Sequence, residues 1–167
     1  MENLTAEQQQ EVRYAGFWLR FVAYIIDDLI LGFVGFLLSL PFIGGIVFSG
    51  LRIAEAEDNF ESIAPGIAGI FGSIFGMILV TVAAGWLYFA LMESSKTQGT
   101  LGKMALSLKV TDMEGNKISF GRATGRYFGK IISGMIFMIG YIIAGLTEKK
   151  QALHDIMASC LVIRKPA

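Results

Sequence analysis

The chain has 167 residues, 54% of them hydrophobic, above the roughly 45–50% of soluble globular proteins, and a mean hydropathy of +0.59. That composition excludes an ordinary soluble domain and places the chain in the membrane class. Lys and Arg together number 14, as do Asp and Glu, so no overall charge draws the chain to nucleic acid, and the single cysteine, Cys160, excludes an intrachain disulfide and a thiolate metal cluster.

Residues 1–16 are polar and mildly acidic, without the basic start, short apolar core and small-residue exit of a signal peptide. The first span, residues 17–40, is therefore predicted to stay as an uncleaved anchor. It is long enough to cross a bilayer, and Pro41 with the Gly44-Gly45 pair is predicted to end it. Arg20 stands at the mouth of this span, and Asp27 and Asp28 fall in the middle of the stretch from Arg20 to Leu38. An ionisable group at the centre of a spanning helix costs roughly 2.5–3.5 kcal/mol, so these carboxylates call for partners. Arg20 and Asp27 share a helix face to within about 20° but are separated by about 10.5 Å of rise, too far for direct contact in a straight helix. Arg20 is left to snorkel or to reach another element. Asp28 points about 100° away.

The segment LRIAEAEDNFE carries Glu55, Glu57, Asp58 and Glu61 against Arg52 alone. A second span, residues 63–92, places Ala68, Gly72 and Gly76 four apart on one face, which suits close helix contact within the protein or between copies, although membrane helices are also glycine-rich without such a role. Residues 93–120 form a basic loop with a small β-hairpin, predicted from alternating apolar positions around DMEGN. From Glu93 to Lys130 seven basic residues face Glu93, Asp112 and Glu114. The positive-inside rule makes this region and the N-terminus cytoplasmic and the acidic loop external.

Residues 121–146 begin as a basic helix with two interlocked rows, Gly121, Gly125, Gly129 and Ser133 beside Arg122, Arg126 and Lys130. Either those cations meet anionic lipid headgroups, or they turn toward the buried carboxylates. The apolar stretch that follows is short for a crossing. Because residues 147–167 are again basic, two readings stand: the segment is broken or re-entrant and returns the tail to the cytoplasm, the preferred reading, or it crosses once and the tail is an exception to the charge rule. His154 and Asp155 are neighbours and do not face each other on a helix, which favours a cap or docking contact for Asp155 over catalysis. GTLGK lacks the spacing of a phosphate loop. No hydrolase or metallo-enzyme motif is present, so the chain is read as a non-enzyme with no cofactor and no metal site.

With Arg20, Ala23 and Asp27 in RFVAYIID, the block TLGKMALSLKVTDMEG, and KKQALHDIMASCLVIR containing Asp155, the chain resembles the RDD family of mostly bacterial membrane proteins from about Ala15 to Arg164. The resemblance implies that Arg20, Asp27 and Asp155 are the arginine and two aspartates for which the family is named, and a location in the bacterial inner membrane. It also implies transport of unidentified ligands, with sodium/proton antiport proposed for some members. The tail departs from many relatives in reading HDIMASC where they have Gly-Thr after the aspartate.

The fold expected is an all-α polytopic membrane domain with two long spans, a third broken or re-entrant apolar segment and the hairpin. Two functions compete. One is a small transporter or ion-translocating subunit in which Asp27, with Asp28, Arg20 and Asp155 as further candidates, exchanges a sodium ion or proton in a homo-oligomer. The other is a non-transporting module that binds membrane lipids or a partner protein through its basic face.

Overall fold

Two long apolar runs of the sequence become the two longest helices, α1 (Phe17–Ala54) and α2 (Phe60–Glu93). The computed structural model describes residues 13–57, 59–135 and 139–164. Pro41 lies inside α1 and does not end it. An internal proline costs about 3 kcal/mol, but breaking a helix in hydrocarbon would expose several backbone polar groups, each costing several kcal/mol. Ser39 Oγ donates to the Phe36 carbonyl at 2.7 Å in the same stretch.

The continuation of α1 to Ala54 changes where its carboxylates stand. From Leu29 to Leu51 the helix carries no charge, and at 1.5 Å per residue this run reaches about 34 Å, enough for the ~30 Å hydrocarbon layer. Asp27 and Asp28 therefore precede a sufficient span instead of bisecting one. The apolar window of each long helix is unburied, with Phe33, Phe36, Phe48, Phe71 and Phe75 exposed. Surfaces of this kind suit lipid.

The chain divides into two compact units, Asp28–Tyr88 and the remainder. In the first, a helical hairpin closes on small residues. A Cβ on Gly66 would lie 2.3 Å from the Ile53 side chain, one on Gly69 2.2 Å from Ser49 Oγ, and one on Gly76 2.6 Å from the Phe42 ring. Gly45 meets Ser73 in the same way. Ala68 and Gly72 lie on a different, exposed face, and a Cβ on Gly72 would meet nothing within 4 Å. Asn59 caps α2, its side-chain oxygen accepting from the Ser62 N–H at 3.0 Å.

The other unit contains α3 (Leu101–Ala105), β1 (Leu108–Asp112), α4 (Phe120–Met135), α5 (Ile139–Leu146), α6 (Leu153–Met157) and β2 (Cys160–Arg164), together with the two ends of α1 and α2 that belong to it. The DMEGN segment does turn: Asp112 Oδ1 accepts from the Glu114 and Asn116 N–H groups, and Gly115 has φ +88°. The predicted hairpin is nevertheless absent, because β1 pairs antiparallel with β2, Val110 opposite Val162. β2 supplies the run Cys160, Leu161 and Val162, all buried with Leu108 and Val110, whereas the segment after the turn is short and leads into α4. Residues 13–15 flank β2, with the Ala15 N–H donating to the Val162 carbonyl at 2.8 Å. α4 and α5 stand on either side of residues 136–138, and Gly140 comes so close to Ser133 that a Cβ there would lie 2.7 Å from the Ser133 Cβ.

Candidate functional site

Arg20, Ala23 and Asp27 recur three and four residues apart, so one stripe of α1 carries all three; Ala23 and Asp27 are buried. The small side chain at position 23 admits α3. Gly102 approaches so closely that a Cβ would lie 2.1 Å from the Ala23 carbonyl oxygen and 3.0 Å from Asp27 Cγ. Asp27 uses this proximity: Oδ2 accepts from Thr100 Oγ1 at 2.5 Å and Oδ1 from the Gly102 N–H at 2.8 Å. Its carboxylate thus closes the start of α3 from another helix, satisfying a backbone donor that a helix beginning cannot satisfy itself.

A second group of charges adjoins it. Arg20 forms an ion pair through Nη1 with Asp155 Oδ2, while its Nε donates to the Ala15 carbonyl at 2.8 Å and its Nη2 to the Lys150 carbonyl at 2.6 Å. Arg126, 2% exposed, reaches from α4 to two acids, with Nε 2.7 Å from Asp155 Oδ1 and Nη1 2.6 Å from Glu93 Oε2. Glu93 Oε1 takes Lys103 Nζ at 2.5 Å and Lys130 Nζ at 3.5 Å. Lys130 Nζ also lies 3.7 Å from the centroid of the Phe89 ring, a cation–π arrangement. α3 connects both groups, since Thr100 and Gly102 hold Asp27 while Lys103 holds Glu93.

The charges set one another. Burial opposes ionisation of Asp155, but Arg126 and Arg20 outweigh it and hold the carboxyl far below its usual range. Asp155 Oδ2 also accepts from the Ala152 N–H at 3.1 Å, capping α6. His154 is desolvated and near Arg126, Lys130 and Arg20, which together push it down to about 3 despite Asp155. It is neutral at ordinary pH, with Nδ1 3.3 Å from Ser133 Oγ. Burial, helped by Lys103 and Arg126, lowers Lys130 to about 7 against the pull of Glu93.

Arg20, Asp155, Arg126 and Lys130 thus come together with Glu93 and Lys103. Asp27 adjoins them through α3. Asp28 and Arg122 are exposed. In the α4 row, Gly129 packs against His154, where a Cβ would lie 3.1 Å from the His154 Cβ, while Gly121 and Gly125 would meet nothing within 4 Å.

Glu93, Lys103, Thr100 and Gly102 were missed from sequence. Two signals pointed toward them. Glu93 is the charge that ends the uncharged run from Ser62 to Met92, and GTLGK combines a hydroxyl, a close-approach glycine and a lysine within five residues.

The profile of the RDD family matches residues 14–159, from the strand-flanking Tyr14 through Asp155. The chain belongs to the RDD family. A Bacillus subtilis (strain 168) protein, YxaI, described as uncharacterized, is 38% identical over 155 residues, covering 90% of this chain and 97% of that protein. The uncharacterized membrane protein YteJ of the same strain is 32% identical over 158 residues, 91% of this chain and 82% of its own length. No solved structure matches. In this RDD protein, then, Arg20 and the later aspartate, Asp155, form an ion pair across 135 positions of sequence, and the earlier aspartate, Asp27, anchors α3.

Proposed function

We propose that this RDD protein is a non-transporting membrane module, a multi-pass protein of the inner membrane whose charged residues hold a domain together at the lipid interface. The observation that carries this reading is the state of the carboxylates. Asp27 accepts from Thr100 and Gly102, and Glu93 and Asp155 are each bound by more than one cation. A site that loads and unloads a cation needs an acid whose oxygens can exchange partners, whereas removing one partner of a buried pair costs about 3–5 kcal/mol. The basic distribution supports a cytoplasmic N-terminus and charged unit, with the Glu55–Glu61 segment outside.

The outward face of α4 supports lipid contact. Arg126 and Ser133 are buried, while Phe128, Ile131 and Ile132 are 48%, 47% and 43% exposed. An amphipathic helix in water shows the reverse arrangement. Arg126 inward and Phe128, Ile131 and Ile132 outward, with Arg122 exposed near the start of the helix, fit a helix lying in the membrane interface, and α5, which packs against α4, shares that setting.

A second reading, sodium or proton exchange, draws on Lys130. Its ion pair is the longest of those to Glu93, and its pKa of about 7 puts proton uptake and release within the ordinary pH range. Purified protein in liposomes, assayed for proton and sodium flux, decides between the two. The module reading expects flux equal to that of empty liposomes; flux above that level overturns it.

A further inference from the structure

Beside the first turn of α1 lies a groove of about 400 Å³ lined by Phe17, Trp18, Ile142, Leu146 and Lys150, together with Gly16 and Gly145. Its volume falls in the range of small-ligand sites. The walls are apolar and open: Trp18 is 73% exposed and Leu146 81%. Lys150 is the charged residue of the lining, and exposed Lys149 and Glu148 adjoin it in sequence.

We propose that this groove binds one anionic phospholipid, its phosphate at Lys150 and its upper acyl chain against Trp18, Ile142 and Leu146. Three observations select that occupant. First, the groove adjoins the start of a helix whose apolar window is unburied, and Trp18, a residue type enriched at headgroup level, clusters there with the Phe17 and Phe21 rings, centroids 5.3–6.2 Å apart. Second, one cation in an otherwise apolar lining complements a molecule with an anionic head and a hydrocarbon tail. Third, the cation is held in place. Lys150 has φ +50°, its N–H donates to the Thr147 carbonyl at 3.0 Å, its carbonyl accepts from Arg20 Nη2 at 2.6 Å, and its Nζ lies 3.4 Å from the Gly145 carbonyl oxygen.

The same arginine that binds Asp155 therefore fixes the backbone that presents Lys150. This proposal rests on the interfacial placement of the charged unit and not on the absence of transport, so a measured flux would overturn the non-transporting reading and leave the lipid site standing.

The test uses Trp18 as the reporter, in the full chain carrying Trp86→Phe, placed in nanodiscs of phosphatidylcholine with an equal mole fraction of either brominated phosphatidylglycerol or brominated phosphatidylcholine. Brominated phosphatidylglycerol is expected to quench Trp18 with a roughly fivefold preference, the scale of one lysine at an anionic surface. Lys150→Gln, which leaves the backbone bond to Arg20 in place, should abolish that preference. Equal quenching by both lipids in the parent protein means ordinary lipid contact only and overturns the proposal. A preference unchanged by Lys150→Gln assigns it to general surface charge and also overturns it. Absence of quenching by either lipid means that a second copy or another part of a protein covers the groove, and rejects the site. If Trp86→Phe does not fold, native mass spectrometry of the unmodified chain and of Lys150→Gln replaces it. Loss of one retained phosphatidylglycerol per protomer is expected, and equal retention contradicts the site.

Discussion

The two units of this protein are held by opposite chemistry. In Asp28–Tyr88, helices meet through glycine and serine, and a Cβ on Gly66 or Gly76 would strike a neighbouring side chain. In the other unit, α4 and α6 are joined by Arg126 and Asp155, and α3 is joined to Glu93 by Lys103. The difference follows from the solvent each surface faces. Between lipid-facing helices there is no hydrophobic gain from association, so close van der Waals contact of small residues is what remains. Beside α4 the chain buries charges, and buried charges persist only when paired and hydrogen-bonded. Among the described residues no buried side-chain nitrogen or oxygen lacks a partner.

Removing a charge should therefore do more harm than crowding a glycine. Arg126→Gln leaves Glu93 and Asp155 with one fewer cation each, and we expect a loss of about 3–5 kcal/mol, read as a large fall in melting temperature in detergent. Gly66→Ala presses on Ile53 and on the Ser49 carbonyl oxygen, 3.0 Å away, and should cost about 1–3 kcal/mol. Gly72→Ala, with open space around it, should change the monomer by less than about 0.5 kcal/mol. A larger loss for Gly72→Ala than for Gly66→Ala would show that the exposed Ala68 and Gly72 face is the contact surface, as in an oligomer.

The pH dependence sharpens the contrast further. Lys130 titrates near 7 in the folded protein and at its ordinary value of 10.5 when unfolded, so between these values the unfolded chain binds more protons and stability rises with pH. The rise has a ceiling of about 1.4 kcal/mol per pH unit for one group. Melting temperature should increase from about pH 7 toward about pH 9, and Lys130→Gln should flatten that increase. On the acid side the signs are the same: His154 and Asp155 are both depressed. Their contribution is complete above the unfolded values and is lost as pH falls toward the folded ones. A melting temperature that declines from pH 7 to pH 9 would contradict this assignment for Lys130.

The long helices were legible because a charge-free apolar run has a single outcome in lipid, but the end of α1 was misplaced. Pro41 punctuates helices in water, whereas in a membrane the alternative to continuing is an exposed backbone. That one error put Asp27 at mid-span. The strand pairing was illegible for a different reason. The turn at Asp112–Asn116 is local and was found, while the partner of β1 lies near the end of the chain, and period-two patterning cannot say which strands meet. Among the charges, the sequence alone left the α4 cations undecided between lipid and protein. The structure turns Arg126 inward and leaves Arg122 exposed, a consequence of helical phase against α6 that spacing does not reveal. Glu93 reads in sequence as one more charge of a basic loop, because it falls at the terminus of a helix that looks complete without it.

Asp27 holds Thr100 and the Gly102 N–H at the start of α3, and the proposed function leaves it no mobile ion to carry. Asp27→Asn tests it most directly, because asparagine keeps the size of the side chain but has one acceptor oxygen where Thr100 and Gly102 use two. Melting temperature and liposome flux should be measured together on wild type and variant. A loss of about 1–3 kcal/mol in stability is expected, with proton and sodium flux at the level of empty liposomes for both proteins. An Asp27→Asn protein as stable as wild type, in which a flux present in the wild type has disappeared, would contradict that expectation.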